Sequence, residues 1–420
     1  MKKTVLLFAL AALPMSTFAA RPASRQAAPA ASASEIELTS QLPADKREAL
    51  AALIERFNAQ SKAGKVVLAE REPSAGKLPS LMILDEASEA SLAGRTKPLQ
   101  QLMKEAGEPL QVGKMVGGVT SPALFDRSGK LLALPVALST PVMFINEDLA
   151  RRAGANVAKS PRTWSELQEL AGKFAEAGVS CPVTVTHPAT TLLENVSAWN
   201  NVPFANPKGG LSVNGLGQVR HVARMASWSK ANYLKFYGRG DEAVEHFAKG
   251  ECGVMLAGQS EFAAASKGGF KVAVSPLPYY EDQPGTPQNT LADGPALWAA
   301  AGKSAGENKL AARFVRFWLE PAQQVEWQKA TGYLPLNKAG AFAAGSSLLG
   351  DDLRAVKTAV TELVSRPATA ASRASAIGHN HWVRNILNEE LEAVWRDGKA
   401  AKLALDTAVQ RVLSCAQCRR

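Results

Sequence analysis

Few residues in this sequence sit at spacings that could do chemistry. Cys415-Ala416-Gln417-Cys418 is a CxxC, a spacing that serves thiol–disulfide exchange or supplies half of a metal site. No second ligand pair accompanies it and no helix of thioredoxin type follows, which favours a local disulfide or two thiols on a tail. The five histidines are His187, His221, His246, His379 and His381. His379 and His381 are two apart, a separation that serves a metal only from a strand or loop, and surface or packing roles are expected for them. Gly302-Lys303-Ser304 ends like a phosphate loop, but Leu297 stands where the first glycine is needed. Gly258-Gln259-Ser260-Glu261-Phe262 carries Phe262 in place of the second glycine of a nucleophile elbow. Gly215-Leu216-Gly217 lacks the third glycine of a dinucleotide loop. The sequence contains no His-Glu-x-x-His and no calcium loop of the EF-hand type, and its carboxylates are too evenly spread to single out a catalytic pair. No catalytic residue, metal site or cofactor is assigned, and an enzyme is not expected.

The elements that would position a site come from a chain of 420 residues, 46% hydrophobic and 20% charged, with 32 Gly and 24 Pro. That composition is globular, with length for two or three domains or one domain pair. Four cysteines are too few for a disulfide-dense scaffold. The net charge of +10 is dispersed without a run of five or six Lys/Arg, which gives a nucleic-acid groove little support and leaves a diffuse field that attracts small anions.

Lys2 and Lys3, the apolar stretch Val5 to Leu13, Pro14 and then Thr17-Phe18-Ala19 predict a secretory signal peptide over residues 1–19. About 10 apolar residues are too few to span a bilayer. With no cysteine near the cleavage point, a lipid anchor is not expected. Residues 20–34, rich in Ala, Ser and Pro, read as a disordered leader. The mature protein is expected to begin near Ala20 and to be periplasmic and monomeric. In that oxidising compartment Cys181 and Cys252 are expected to pair, closing a loop of about 70 residues at roughly 4 kcal/mol by the chain-entropy model.

Along the mature chain, Leu50, Leu53, Ile54 and Phe57 share one face of a helix over 44–60. Residues 65–69 and 81–84 read as buried strands. The stretch 131–144, broken by Pro135 and Pro141, reads as an extended crossover. Thr163 and Glu166 form a capping box for a helix that runs to about Ala177 and stops at Gly178. A strand is predicted over 271–275, a loop over 276–287, and helices over 310–319, 322–330 and 385–395. Strands alternate with helices almost throughout, which is an α/β signature.

Several segments resemble the solute-binding proteins of ABC importers of the sugar type (family 1), and within them those that bind glycerol-3-phosphate. They are Leu134-Pro135 through Ser139-Thr140-Pro141-Val142 with Asn146, Thr163-Trp164-Ser165-Glu166-Leu167, and the run from Leu193-Glu194-Asn195 through Ala198-Trp199-Asn200 to Ala205. Later come Pro287-Gln288-Asn289, Gly294 with Ala296-Leu297-Trp298, Glu326-Trp327, Thr331-Gly332-Tyr333-Leu334-Pro335, and Glu389-Glu390-Leu391-Glu392 with Val394-Trp395. The likeness covers most of residues 35–412, and Cys181 and Cys252 sit where that family carries a cysteine pair.

The resemblance implies a two-lobed α/β periplasmic binding protein fold (type II) with the ligand cleft between the lobes. Lobe 1 is expected from 35–139 plus about 292–345, and lobe 2 from 140–291 plus about 346–420. It implies a protein that captures a small polyol phosphate, glycerol-3-phosphate or a glycerophosphodiester, and delivers it to an inner-membrane ABC permease. The ligand residues carried over are Glu86, Ser139, Gly294, Tyr333 and Arg384. Arg384 can fork onto a phosphate, Ser139, Tyr333 and the Gly294 amide can donate to the same oxygens, and Glu86 can accept from hydroxyls. The sequence also departs from the family. Gly258 stands at a ligand-contacting serine, with Ser260 out of register. Only Glu70 to Pro79 joins two strands where the family has a longer segment with a tyrosine. Thr186-His187-Pro188-Ala189-Thr190-Thr191 replaces a Trp-bearing stretch, and the first strand reads Ile36-Glu37-Leu38-Thr39 in place of Phe-Trp-His. These changes keep open a paralogue for another sugar or anion, or a sensor or scaffold on the same fold.

Overall fold

The structure, a computed structural model, describes residues 35–70, 76–85, 92, 94–111, 124–126, 128–156, 159–336, 354–364 and 366–419. The expected signal peptide and leader lie outside the described residues, and so does Glu86.

The strands are β1 (Glu35–Ser40), β2 (Lys65–Ala69), β3 (Leu81–Leu84), β4 (Thr96–Lys97), β5 (Pro141–Asn146), β6 (Cys181–Val185), β7 (Leu234–Lys235), β8 (Cys252–Gly258), β9 (Val272–Ser275) and β10 (Ala296–Ala300). They form two five-stranded sheets, in the orders β2-β1-β3-β10-β4 and β7-β6-β8-β5-β9. In the first, β1 runs parallel to β2 and β3 while β10 is antiparallel to its neighbours. In the second, β6 runs parallel to β7 and β8 while β5 is antiparallel to β8 and β9. The inner strands β3, β5, β6 and β10 are buried at every residue, as strands covered on both faces must be. Each sheet is the core of one lobe of a two-lobed α/β fold.

The helices used below are α1 (Ala44–Gln60), α2 (Leu99–Glu105), α3 (Glu147–Arg152), α4 (Trp164–Glu176), α5 (Leu216–Lys230), α6 (Glu242–Ala248), α7 (Ala305–Trp318), α8 (Pro321–Thr331), α9 (Arg354–Val364), α10 (His381–Trp395) and α11 (Ala401–Ser414). The face of α1 read from the sequence is the buried one, and Lys46 lies on it too. The capping box of α4 is complete, with Glu166 N donating to Thr163 Oγ1 at 3.1 Å and Thr163 N to Glu166 Oε2 at 3.3 Å. Such a cap contributes about 1 kcal/mol.

Two helices begin earlier than the apolar spacing predicts, because their caps lie ahead of the first apolar residue. Ser304 accepts from Glu307 N and Glu307 accepts from Ser304 N, so the sequence that ends like a phosphate loop is the capping box of α7. Asn380 Oδ1 accepts from Trp382 N at 3.0 Å and Val383 N at 3.2 Å, so α10 starts at His381 and not at Asn385. Arg384 therefore sits in the first turn of α10.

Of the stretch 131–144 read as a crossover, residues 131–140 are one, with a turn at 136–137, whereas 141–144 belong to strand β5; the crossover pairs with the segment that returns to β10. Leu134 N donates to Leu297 O at 3.0 Å, and Ser139 and Asp293 exchange both backbone hydrogen bonds at 2.9 Å. These two antiparallel segments carry the chain from one sheet to the other. Cys181 and Cys252 are opposite each other on β6 and β8 and are disulfide-bonded, with Cα atoms 4.4 Å apart. Cys415 and Cys418 are also bonded. Among the described residues no helix is long and apolar enough to cross a membrane.

Candidate ligand cleft

The two crossing segments form one side of a cavity of about 310 Å³. Of the five residues assigned to ligand from the sequence, Ser139, Gly294, Tyr333 and Arg384 all line it, although 245 positions separate the first from the last. Asp85 lines it as well, while its neighbour Glu86 is outside the described residues.

Each of the four is held by its own element. Ser139 Oγ lies 3.1 Å from both Gln259 Oε1 and Ser260 Oγ. Ser260, out of register in the sequence, thus reaches the same wall as Ser139. A side chain at Gly258 would put its Cβ 2.4 Å from Ser139 Oγ, so the glycine and Ser139 fit together as a pair. Gly294 has φ +146°, and a Cβ there would meet Ala137 O at 2.1 Å, so only glycine lets the two crossing segments approach this closely. Its amide, expected to face ligand, donates to Asp293 Oδ1 at 2.9 Å. Tyr333 follows Gly332, the left-handed stop of α8, and packs against Trp327. Burial holds its phenol above the ordinary tyrosine range.

Arg384 is not a lone cation. Its Nη2 donates to Asp293 Oδ2 and, at 3.3 Å, to Glu194 Oε2. His379 Nδ1 is 2.9 Å from Asp293 Oδ1. Burial lowers Arg384 to about 9. Burial and then the Asp293 charge push Glu194 up to about 8, against a smaller opposing effect of His379. Arg384 near Glu194 favours the anion, but one guanidinium serves two carboxylates, and the closer pairing is with Asp293. Near neutral pH Glu194 therefore keeps its proton beside the guanidinium.

A second polar group lies on another part of the wall. His187, with φ +46°, brings Nε2 within 2.9 Å of Asp241 Oδ1. Burial opposes charge on the imidazole, but the Asp241 carboxylate outweighs it and raises the His187 pKa. Burial and then Asp241 raise Glu261, which also lines the cleft. Lys46, 4% exposed, sits behind Tyr333 with Nζ 5.9 Å from the ring centroid and 3.3 Å from Ser260 O.

The segment Thr186 to Thr191 supplies Thr186, His187, Thr190 and Thr191 to the wall, so hydroxyls and an imidazole stand where the resemblance implies aromatic rings. It leads into a π-helical turn, Ala189–Asn195, that delivers Glu194 to Arg384 and Asn195 to the cavity. Sequence reasoning missed Glu194, Asp293, Asp241 and Lys46. Two left a signal: Glu194 lies inside an apolar run, and Lys46 is four residues before Leu50 on the buried stripe of α1. The described residues contain no cluster able to hold a metal ion.

The family of bacterial extracellular solute-binding proteins matches residues 54–344. The sn-glycerol-3-phosphate-binding periplasmic protein UgpB of Escherichia coli K12 is 30% identical over 381 residues, covering 86% of this chain and 87% of its own. Among solved structures, UgpB of Mycobacterium tuberculosis in complex with glycerophosphocholine superposes with a TM-score of 0.74 at 18% identity, over 90% of this chain and 98% of its own. Maltose-bound MalE3 of T. maritima does so with a TM-score of 0.68 at 18% identity, over the same shares.

Proposed function

The chain belongs to the bacterial extracellular solute-binding proteins, substrate-binding components of ABC importers, and on that premise we propose that it captures a small polyol phosphate such as glycerol-3-phosphate or a glycerophosphodiester. The observation that carries this reading is Arg384, part-buried at the cleft wall that Ser139, Tyr333 and Asp293 also line. A guanidinium presents planar donors that match phosphate oxygens, and hydroxyls add donors to the same group. The relative 30% identical to this chain is named for sn-glycerol-3-phosphate. The permease that receives the ligand is the partner such a protein serves, and the mature chain acts as a periplasmic monomer.

A neutral sugar is the second reading, favoured by a specific feature: the charge of Arg384 is already matched by Asp293, and Asp241 and Glu261 add acceptors suited to sugar hydroxyls.

Calorimetry on the mature protein with sn-glycerol-3-phosphate, glycerophosphocholine, inorganic phosphate and maltose separates the two. The phosphate esters are expected to bind. Arg384→Ala is expected to weaken them by about 10- to 1,000-fold, and Arg384→Lys, which keeps the charge and loses the fork, to weaken them less. Binding of maltose alone, or equal ester affinity in wild type and Arg384→Ala, would overturn the phosphate reading.

A further inference from the structure

We propose that Asn380 and the Cys415–Cys418 turn are positioning elements for Arg384: the disulfide-closed turn after α11 holds the N-cap of α10, and through it the cation at the cleft wall. The consequence for ligand rests on the proposed function; the structural link does not.

The link can be followed atom by atom. After Ser414 the chain turns through Cys415 and Cys418, which are bonded to each other, and Cys418 N donates to Cys415 Sγ at 3.1 Å. Inside that ring, Gln417 O accepts from Asn380 Nδ2 at 3.3 Å. The other side-chain atom of Asn380, Oδ1, caps Trp382 N and Val383 N, and its backbone oxygen accepts from Arg384 N at 3.0 Å. One asparagine therefore spends its amide nitrogen on the CxxC ring and its oxygens on the first turn of α10. Packing runs in parallel: Cys418 is buried in the apolar cluster that contains Ile377, Val383, Leu387 and Val412. His379, between these anchors, holds the same Asp293 carboxylate that accepts from Arg384.

The first turn of a helix is where its amides depend on a cap. Opening the ring frees the direction of the Gln417 carbonyl and so the amide of Asn380. A dithiol can open it selectively. Cys181 and Cys252 are fully buried, whereas Cys415 is part-exposed. A thiolate of the reductant attacks Cys415 Sγ, Cys418 leaves as a thiolate and takes up a proton, and the reductant's second thiolate then releases Cys415. Two protein thiols form and the dithiol becomes a cyclic disulfide.

The test compares oxidised wild type, dithiothreitol-treated wild type, the double variant Cys415→Ser/Cys418→Ser, and Asn380→Ser. Serine caps a helix about as well as asparagine but is too short to reach Gln417, so Asn380→Ser removes the tether and keeps the cap. Hydrogen exchange of residues 381–388, read without ligand, is expected to be about threefold or more faster in all three altered forms, with exchange of β8 unchanged. The Kd for sn-glycerol-3-phosphate is expected to rise about 3- to 10-fold, and this rise should vanish in an Arg384→Ala background, where there is no cation left to position. Equal exchange in all forms overturns the proposal, as does an affinity loss that persists without Arg384. If wild type does not bind sn-glycerol-3-phosphate, the proposed function fails, and the exchange measurement alone decides this one.

Discussion

Replacing Glu194 by glutamine should stabilise the protein, and by more as the pH rises. Glu194 is 6% exposed, and its carboxyl packs so closely on Gly378 that a Cβ there would lie 1.9 Å from Oε1. Burial first, and Asp293 second, raise its pKa from the ordinary 4.5 to about 8. Between those two values the folded protein holds a proton that the unfolded chain releases, so unfolding is progressively favoured as pH climbs. Each pH unit in that window is worth about 1.4 kcal/mol. At pH 7 the wild type is thus less stable than at pH 4 by roughly 3 kcal/mol on account of this one group, and the loss levels off above about pH 8. Glutamine has the same shape, can still accept from Arg384 through its oxygen, and does not titrate. The assay is urea denaturation of both proteins from pH 5 to 8.5, taking the difference in unfolding free energy so that shared titrations cancel. The advantage of the variant should grow by about 1.4 kcal/mol per unit up to about pH 8 and then flatten. A difference that does not change with pH would refute the argument, because it would mean that Glu194 is ionised in the fold throughout, held by Arg384.

Two further outcomes follow from groups away from the cleft. His221 is depressed to about 3 by burial, with Arg224 and Arg220 adding to the effect, and it lies 3.0 Å from Tyr280 Oη. Stability should therefore fall as pH drops from 6.5 toward 3, and His221→Gln should flatten this acid limb by roughly 3 kcal/mol between pH 6.5 and 4, read from the slope of unfolding free energy against pH. Cys181→Ala/Cys252→Ala should cost roughly 2–4 kcal/mol in denaturant unfolding; unchanged stability would show that the paired strands β6 and β8 alone restrain that loop.

The fold was legible where local chemistry decides it. The stripe of α1 and the box at Thr163 and Glu166 each act within a few residues, and the structure places the elements there, whereas Pro141, read as a break in the crossover, opens strand β5. It was less legible where a cap stands ahead of the apolar pattern. Ser304 and Asn380 begin α7 and α10 before any apolar residue recurs, so periodicity alone starts both helices about four or five residues late. In the cleft the same division applies. Ser139, Gly294, Tyr333 and Arg384 came from a resemblance and do meet at one cavity. The partners of Arg384 did not, because Glu194 and Asp293 are 190 and 91 positions away from it and no local spacing encodes such a meeting.

Those partners let the cleft wall hold a part-buried arginine without the cost of an unpaired charge. Asp293 divides its two oxygens. Oδ1 accepts from Gly294 N and faces His379 Nδ1, both at 2.9 Å, while Oδ2 takes Arg384. Under the proposed function, a phosphate oxygen that draws the guanidinium away from Oδ2 leaves Asp293 still held through Oδ1. The carboxylate is then not stranded, which is the usual penalty for breaking a buried ion pair. Gly294 is needed twice in this arrangement: its lack of a side chain lets the crossing segments meet at Ala137, and its amide fixes the carboxylate beside it. The protonated carboxyl of Glu194 can stay hydrogen-bonded to the same cation without adding a second negative charge that an incoming phosphate would have to oppose. Order in this corner is built in before ligand arrives, so little side-chain freedom is lost on binding.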